Sequence, residues 1–149
     1  MIGIDTSVAV KWFKPGERFE TEALELLARI DRGEVEAAAN EILSLELVRA
    51  LKNAQTRQPS LGFRDDIIDQ TYLHVQRLFS GKAMLECYVK EVKAIASEII
   101  TKLDLYTADA IHLATAVYLR VPFFVVDDRH FLAPPVVRYA AGFGVQIVT

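Results

Sequence analysis

The chain has 149 residues, 52% hydrophobic and 25% charged, a balance that excludes a disordered chain and fits one domain, residues 1–149. The net charge of −3 argues against a protein that binds nucleic acid through bulk basic charge alone. A single cysteine, a start without a signal-peptide pattern and the absence of a long apolar run together predict a cytoplasmic protein.

The first half of the chain alternates short apolar strands with amphipathic helices. A strand at 1–4 ends at Asp5, and a short helix at 7–13 is broken by Pro15 and Gly16. The next predicted elements are a helix at 20–32, a strand at 35–39, and helices at 42–54 and 63–79.

The second half continues this alternation and contains the most apolar strand. The run 121–126 is continuously apolar up to Asp127, which is typical of a buried parallel strand. The other predicted elements are a strand at 83–86, helices at 88–103 and 107–119, and a closing strand at 145–148. Strands alternating with helices predict an α/β fold, a three-layer α/β/α sandwich around a short, mainly parallel sheet.

Four carboxylates lie at the edges of apolar segments, where an ionised side chain is costly to bury. No Lys or Arg lies inside these apolar runs to supply a counter-charge, whereas a divalent cation would do so. Mg²⁺ and Mn²⁺ prefer oxygen ligands of this kind. The four residues are Asp5, Glu46, Asp109 and Asp127.

The predicted topology brings these four residues towards one edge of the sheet. Asp5 and Asp127 each follow a predicted strand, and Glu46 and Asp109 lie early in predicted helices. Ligands of open parallel sheets bind outside the carboxyl ends of the strands. A metal site at this edge is therefore the leading hypothesis.

At these residues the chain resembles the PIN domain nucleases, in particular the VapC-type toxins of toxin–antitoxin systems. The resemblance extends from residue 1 to about residue 133 and rests on four motifs in family order. They are IDTSV at 4–8 with KWF at 11–13, SLELV at 44–48, ADAIHLA at 108–114 and VVDDRHF at 125–131.

The fourth motif departs from the family pattern. The family usually has Thr or Ser two positions before the fourth acid, and here Val125 precedes Asp127. The departure leaves open whether Asp127 or Asp128 is the fourth acid. The distance from Asp109 and the end of the strand favour Asp127, and Asp128 would then cap the following turn.

The resemblance implies an Mg²⁺- or Mn²⁺-dependent endoribonuclease that leaves a 5′-phosphate and a 3′-hydroxyl. Asp5, Asp109 and Asp127 are the expected metal ligands. Glu46 would bind a second metal, hold a water or act as a base, and Thr6 or Ser7 would hydrogen-bond a carboxylate or the phosphate. His112 reads as a partly buried, hydrogen-bonded side chain rather than as a metal ligand.

The resemblance also implies partners. It predicts a homodimer and a VapB-like antitoxin that inserts an arginine among the carboxylates, and surplus apolar surface on the helices at 20–32, 42–54 and 63–79 agrees with an interface. A basic rim for RNA would be formed by Lys11, Lys14, Arg49, Lys52 and Arg129.

Other functions remain open at this point. One is a PIN domain nuclease of RNA processing or of DNA flaps, and another is a non-catalytic interaction module on the same fold. A phosphatase that uses an aspartyl phosphate would require an acid two residues after Asp5, and Ser7 stands there instead.

Overall fold

The computed structural model describes all 149 residues and contains a five-stranded sheet whose strands are all parallel. The strand order is β3-β2-β1-β4-β5, so the first strand lies in the middle. The strands are β1 (Ile2–Ile4), β2 (Ala37–Asn40), β3 (Met84–Cys87), β4 (Phe123–Val125) and β5 (Gln146–Val148).

Seven α-helices connect and cover the strands. Short 3-10 turns at Val10–Trp12, Pro59–Leu61 and Arg129–Leu132 complete the fold. The helices are α1 (Thr6–Ala9), α2 (Glu20–Asp31), α3 (Leu43–Arg57), α4 (Asp65–Ser80), α5 (Val89–Leu103), α6 (Thr107–Tyr118) and α7 (Pro134–Ala141).

The sheet separates two hydrophobic cores, as expected for a three-layer sandwich. On one face Ile4 and Met84 pack with buried residues of α1 to α4, including Leu47. On the other face Phe124 packs with buried residues of α5, α6 and α7, including Leu113. The predicted α/β/α sandwich is therefore confirmed.

The predicted elements are found within three residues of their expected ends, except that the predicted helix at 7–13 is α1 followed by the 3-10 turn Val10–Trp12. One helix is missing from the prediction. That helix is α7, which begins at Pro134. Two consecutive prolines suggest a loop in sequence, yet proline is well tolerated in the first turn of a helix because its missing N–H has no partner there.

The site forms where the strand order reverses. The chain moves from β1 to one side for β2 and β3 and then returns to the other side of β1 for β4. Ile4 and Val125 are paired at the ends of these two central strands, so the residues that follow them share one edge. No helix in the molecule combines the length and the apolar character needed to span a membrane.

Candidate active site

Asp5 lies at the centre of the sheet edge, directly after β1, and caps the N-terminus of α1. Its carboxylate accepts hydrogen bonds from the backbone N–H of Ser7 at 2.9 Å and from the Ser7 hydroxyl at 2.5 Å. The side chain is almost fully buried. Burial raises the pKa of Asp5, against the opposing effects of His112 and the Ser7 hydrogen bonds.

Glu46 lies in the first turn of α3 and is held by two residues from other elements. The Thr6 hydroxyl donates to Glu46 Oε1 at 2.7 Å, and His112 Nε2 contacts the same oxygen. Burial alone would raise the pKa of Glu46, but the bonds from His112 and Thr6 bring it below its ordinary value. Glu46 is therefore ionised at neutral pH, and it forms no ion pair with the neighbouring Arg49.

Asp109 lies in the first turn of α6 and is poorly compensated. Burial, followed by the negative charges of Asp5, Asp128 and Glu46, raises its pKa from 3.8 to about 6. No Lys or Arg pairs with it, and its one basic neighbour within 4.0 Å is the imidazole of His130, through Nδ1. Asp109 thus marks a point of the molecule where a positive charge would be favourable.

Asp127 has a different environment from the other three predicted site residues. Its carboxylate forms an ion pair with the buried ammonium group of Lys11 at 2.8 Å and a second pair with Arg18. The hydrogen bond from Lys11 is the largest effect on Asp127 and lowers its pKa. Asp127 is connected to the acidic residues through its backbone. Its N–H donates to the Ser7 hydroxyl at 2.8 Å, and that hydroxyl donates to Asp5.

Asp128, the alternative fourth acid, faces Asp109. Its carboxylate caps the 3-10 turn by accepting from the His130 N–H at 2.8 Å, and His130 Nδ1 lies 3.0 Å from it. Asp109, Asp128 and His130 each place one possible ligand atom here, and these three atoms lie within 4.8 Å of one another. Two carboxylates at this distance repel each other unless a cation lies between them.

The structure thus brings together three of the four predicted acids, Asp5, Glu46 and Asp109. It directs the carboxylate of the fourth, Asp127, towards Lys11. The expectation that no basic side chain would compensate these acids is wrong for Asp127, and the expectation that Lys11 lies on an exposed basic rim is wrong as well, because Lys11 is buried.

The rest of the expected basic rim is mixed. Lys14 and Lys52 are engaged in ion pairs with acidic residues, whereas Arg49 and Arg129 are exposed and form none. The expected role of Thr6 and Ser7 as partners of carboxylates is confirmed by their bonds to Glu46 and Asp5. The full burial of His112 and its bond to Glu46 were not foreseen.

The donor set fits a hard divalent cation. Asp5, Asp109 and Asp128 offer carboxylate oxygens, the ligands that Mg²⁺ and Mn²⁺ prefer. The raised pKa of Asp109 shows that the protein alone leaves the charge of this group uncompensated. A bound cation would remove this repulsion, so the residues present suit such an ion.

We expect Mn²⁺ binding to weaken as the pH falls below about 6, because the metal must displace the proton held by Asp109. Above that pH the Asp109 carboxylate is already ionised, and Asp109 no longer contributes to the pH dependence. Titration calorimetry between pH 5 and 7.5 measures this dependence. A pH-independent affinity over that range would show that Asp109 is not a ligand.

One protein family model matches nearly the whole chain. A family model described as PIN domain matches residues 2–135. This range includes all the acidic residues described above. A search of curated proteins finds no match to this chain.

Proposed function

The chain belongs to the PIN domain family of nucleases, and we propose that it is a metal-dependent endoribonuclease that hydrolyses RNA phosphodiester bonds. The observation that carries this proposal is the position of Asp109. It lies at the carboxyl edge of the sheet among other acids, with its pKa raised to about 6 and with no Lys or Arg to pair with it.

Asp5, Asp109 and the fourth acid of the family pattern, which is either Asp127 or Asp128, would hold the Mg²⁺ or Mn²⁺ ion. The contacts favour Asp128 as the fourth acid over Asp127, which the sequence favours, because Asp128 faces Asp109 and Asp127 is engaged by Lys11. The bound cation would lower the pKa of a water molecule and neutralise charge that develops on the phosphate.

Glu46 would take part through its own carboxylate. It is ionised, and Thr6 and His112 hold its Oε1 atom in place. An ionised carboxylate at this edge can accept a proton from the attacking water or orient that water towards the phosphate. The exposed Arg49 and Arg129 would add positive charge along the path of the RNA backbone.

Cleavage of a single-stranded RNA by the purified chain tests this proposal. We expect cleavage with Mg²⁺ or Mn²⁺, none in excess chelator, and loss of at least about a hundredfold in Asp5→Asn, as for other groups that stabilise charge in a transition state. A DNA flap substrate assayed in parallel separates the RNA proposal from a DNA nuclease. No cleavage of either would contradict nuclease function.

We further propose that the chain is the toxin of a VapBC-type pair, forms a homodimer and binds a VapB-like antitoxin. Each helix predicted to have surplus apolar surface leaves one large side chain exposed, namely Leu24 on α2, Leu45 on α3 and Leu73 on α4. Leu45 is the most exposed of these at 63%, and its replacement by Lys is expected to weaken the dimer. Light scattering at micromolar concentration measures this change.

The antitoxin would insert an arginine among Asp5, Asp109 and Asp128 and so satisfy the same charges as the metal. We therefore expect Mg²⁺ to weaken the binding of an arginine-containing antitoxin segment. Fluorescence titration of that peptide at increasing Mg²⁺ measures the effect, and the same peptide with Arg replaced by Gln is the control. An affinity that does not depend on Mg²⁺ would contradict this mode of inhibition.

A further inference from the structure

We propose that His112 is a positioning residue, which fixes Glu46 by one carboxylate oxygen so that the other oxygen faces the reaction. This inference rests on the proposed nuclease function, because it assigns a task to Glu46. It does not make His112 a ligand or a proton carrier. The role follows from two contacts that meet at a single atom, Glu46 Oε1, and from a third contact that joins the two donors, Thr6 and His112.

The hydrogen-bond directions in this cluster can be assigned. An ionised carboxylate can only accept, so the proton lies on His112 Nε2, which donates to Glu46 Oε1. The Thr6 hydroxyl donates to the same oxygen at 2.7 Å, and its own oxygen lies 3.1 Å from His112 Nε2. Glu46 Oε2 has no hydrogen bond within the protein, which leaves it available to a water or a metal.

The free-energy cost of burying the His112 imidazole supports a role for its contact with Glu46. The side chain is about 1% exposed, and its second nitrogen, Nδ1, is buried without any hydrogen-bond partner. A buried polar atom without a partner costs on the order of 1–3 kcal/mol. An apolar side chain would avoid this cost, so packing alone does not explain a histidine at this position.

His112 links Asp109, which lies on the same helix α6, to Glu46 on α3. His112 follows Asp109 by three residues, and residues at this spacing lie on one face of a helix. One rigid helix therefore presents Asp109 to the cation site and reaches Glu46 on α3. Glu46 has three rotatable side-chain bonds, and the contacts at Oε1 remove most of that freedom.

Three substitutions separate positioning from packing. In His112→Gln the amide nitrogen reaches the place of Nε2, so we expect activity within about fivefold of the wild type. In His112→Asn the amide reaches only the place of Nδ1, and His112→Met fills the volume without a donor. Both should lower kcat about a hundredfold, the cost of a misplaced catalytic group, with little change in KM.

A matched control comes from the same helix. Thr115 accepts a buried hydrogen bond from Asn40 at 3.0 Å and has no contact with the acids. Thr115→Val should lower the melting temperature and leave kcat unchanged. If His112→Met cleaves RNA like the wild type, or if the activity of all three variants follows their melting temperatures, His112 is only structural.

A measurement that does not need activity keeps this inference distinct from the proposed function. NMR of the imidazole should detect a slowly exchanging proton on His112 Nε2 that shifts in Glu46→Ala. Absence of that proton in the wild type would overturn the inference even if the chain cleaves RNA. If the wild type cleaves nothing, the nuclease proposal fails, and the NMR result alone decides whether His112 holds Glu46.

Discussion

Replacement of Asp109 by Asn is expected to abolish RNA cleavage and, without metal, to make the chain more stable at neutral pH. The activity is lost because the residue would no longer supply a charged oxygen to the cation. The stability rises because burial and the charges of Asp5, Asp128 and Glu46 all oppose ionisation of Asp109 in the folded state. The asparagine side chain carries no charge to bury.

The size and pH range of the gain follow from the pKa shift. A rise from 3.8 to about 6 makes ionised Asp109 destabilising by on the order of 3 kcal/mol, and relaxation of the site reduces the gain to about 1–3 kcal/mol. Above pH 6 the group is ionised in both the folded and unfolded states, and the penalty is complete. Below about pH 4 it is protonated in both, and the advantage of Asp109→Asn disappears.

Urea unfolding in chelator at pH 7 and at pH 4 measures this effect. Asp69→Asn is the matched control, because Asp69 is exposed on α4 and forms no ion pair. We expect the control to change neither stability nor cleavage. A destabilised Asp109→Asn variant at pH 7, or one that still cleaves RNA, would show that Asp109 is not the uncompensated acid of a metal site.

The meeting of Asp5, Glu46 and Asp109 at one edge of the sheet could be predicted from the sequence, because it depends only on the order of strands and helices along the chain. Asp5 ends an apolar strand, and Asp109 and Glu46 open helices, so any right-handed arrangement of strand, helix and strand brings them to one side. The apolar runs of those strands and helices are long enough to locate each element in the sequence. The layers and the parallel sheet follow from the same pattern.

The direction of single side chains beyond a strand could not be predicted in this way. Asp127 and Asp128 are adjacent, and successive side chains of extended backbone point in opposite directions. Which of them faces Asp109 depends on a shift of one residue, and both have the same chemistry. The deciding contact comes from Lys11, more than 100 residues away in sequence, whose buried ammonium engages Asp127.

The pairing of Asp127 with Lys11 leads to the second large expected effect, a separation of stability from activity between two adjacent acids. Asp128→Asn should lose at least about a hundredfold in cleavage with little change in stability, because Asn caps a helical turn about as well as Asp. Asp127→Asn should keep most of its cleavage activity at temperatures well below its melting point, but its free energy of unfolding should fall by about 3 kcal/mol.

The reason for this loss is the ammonium group of Lys11, which Asp127→Asn leaves buried without a carboxylate. The Lys11 side chain is 5% exposed and that of Asp127 is 11% exposed, so water cannot replace the lost partner. Removal of both charges should restore stability, because the cost of breaking a buried pair is mainly that of the charge left behind. The double variant Lys11→Met, Asp127→Asn is therefore expected to be more stable than Asp127→Asn alone.

Thermal unfolding and cleavage rates of these variants, measured at the same Mn²⁺ concentration, decide between the two acids. If Asp127→Asn is stable but inactive while Asp128→Asn is active, Asp127 is the fourth acid that the strand end predicts, and its carboxylate must exchange Lys11 for the cation when the metal binds. If only Asp128→Asn is inactive, Lys11 and Asp127 act as a buried clamp. That clamp fixes the segment after β4 against the 3-10 turn at Val10–Trp12, and Asp128 faces Asp109 because the residue before it is held in place.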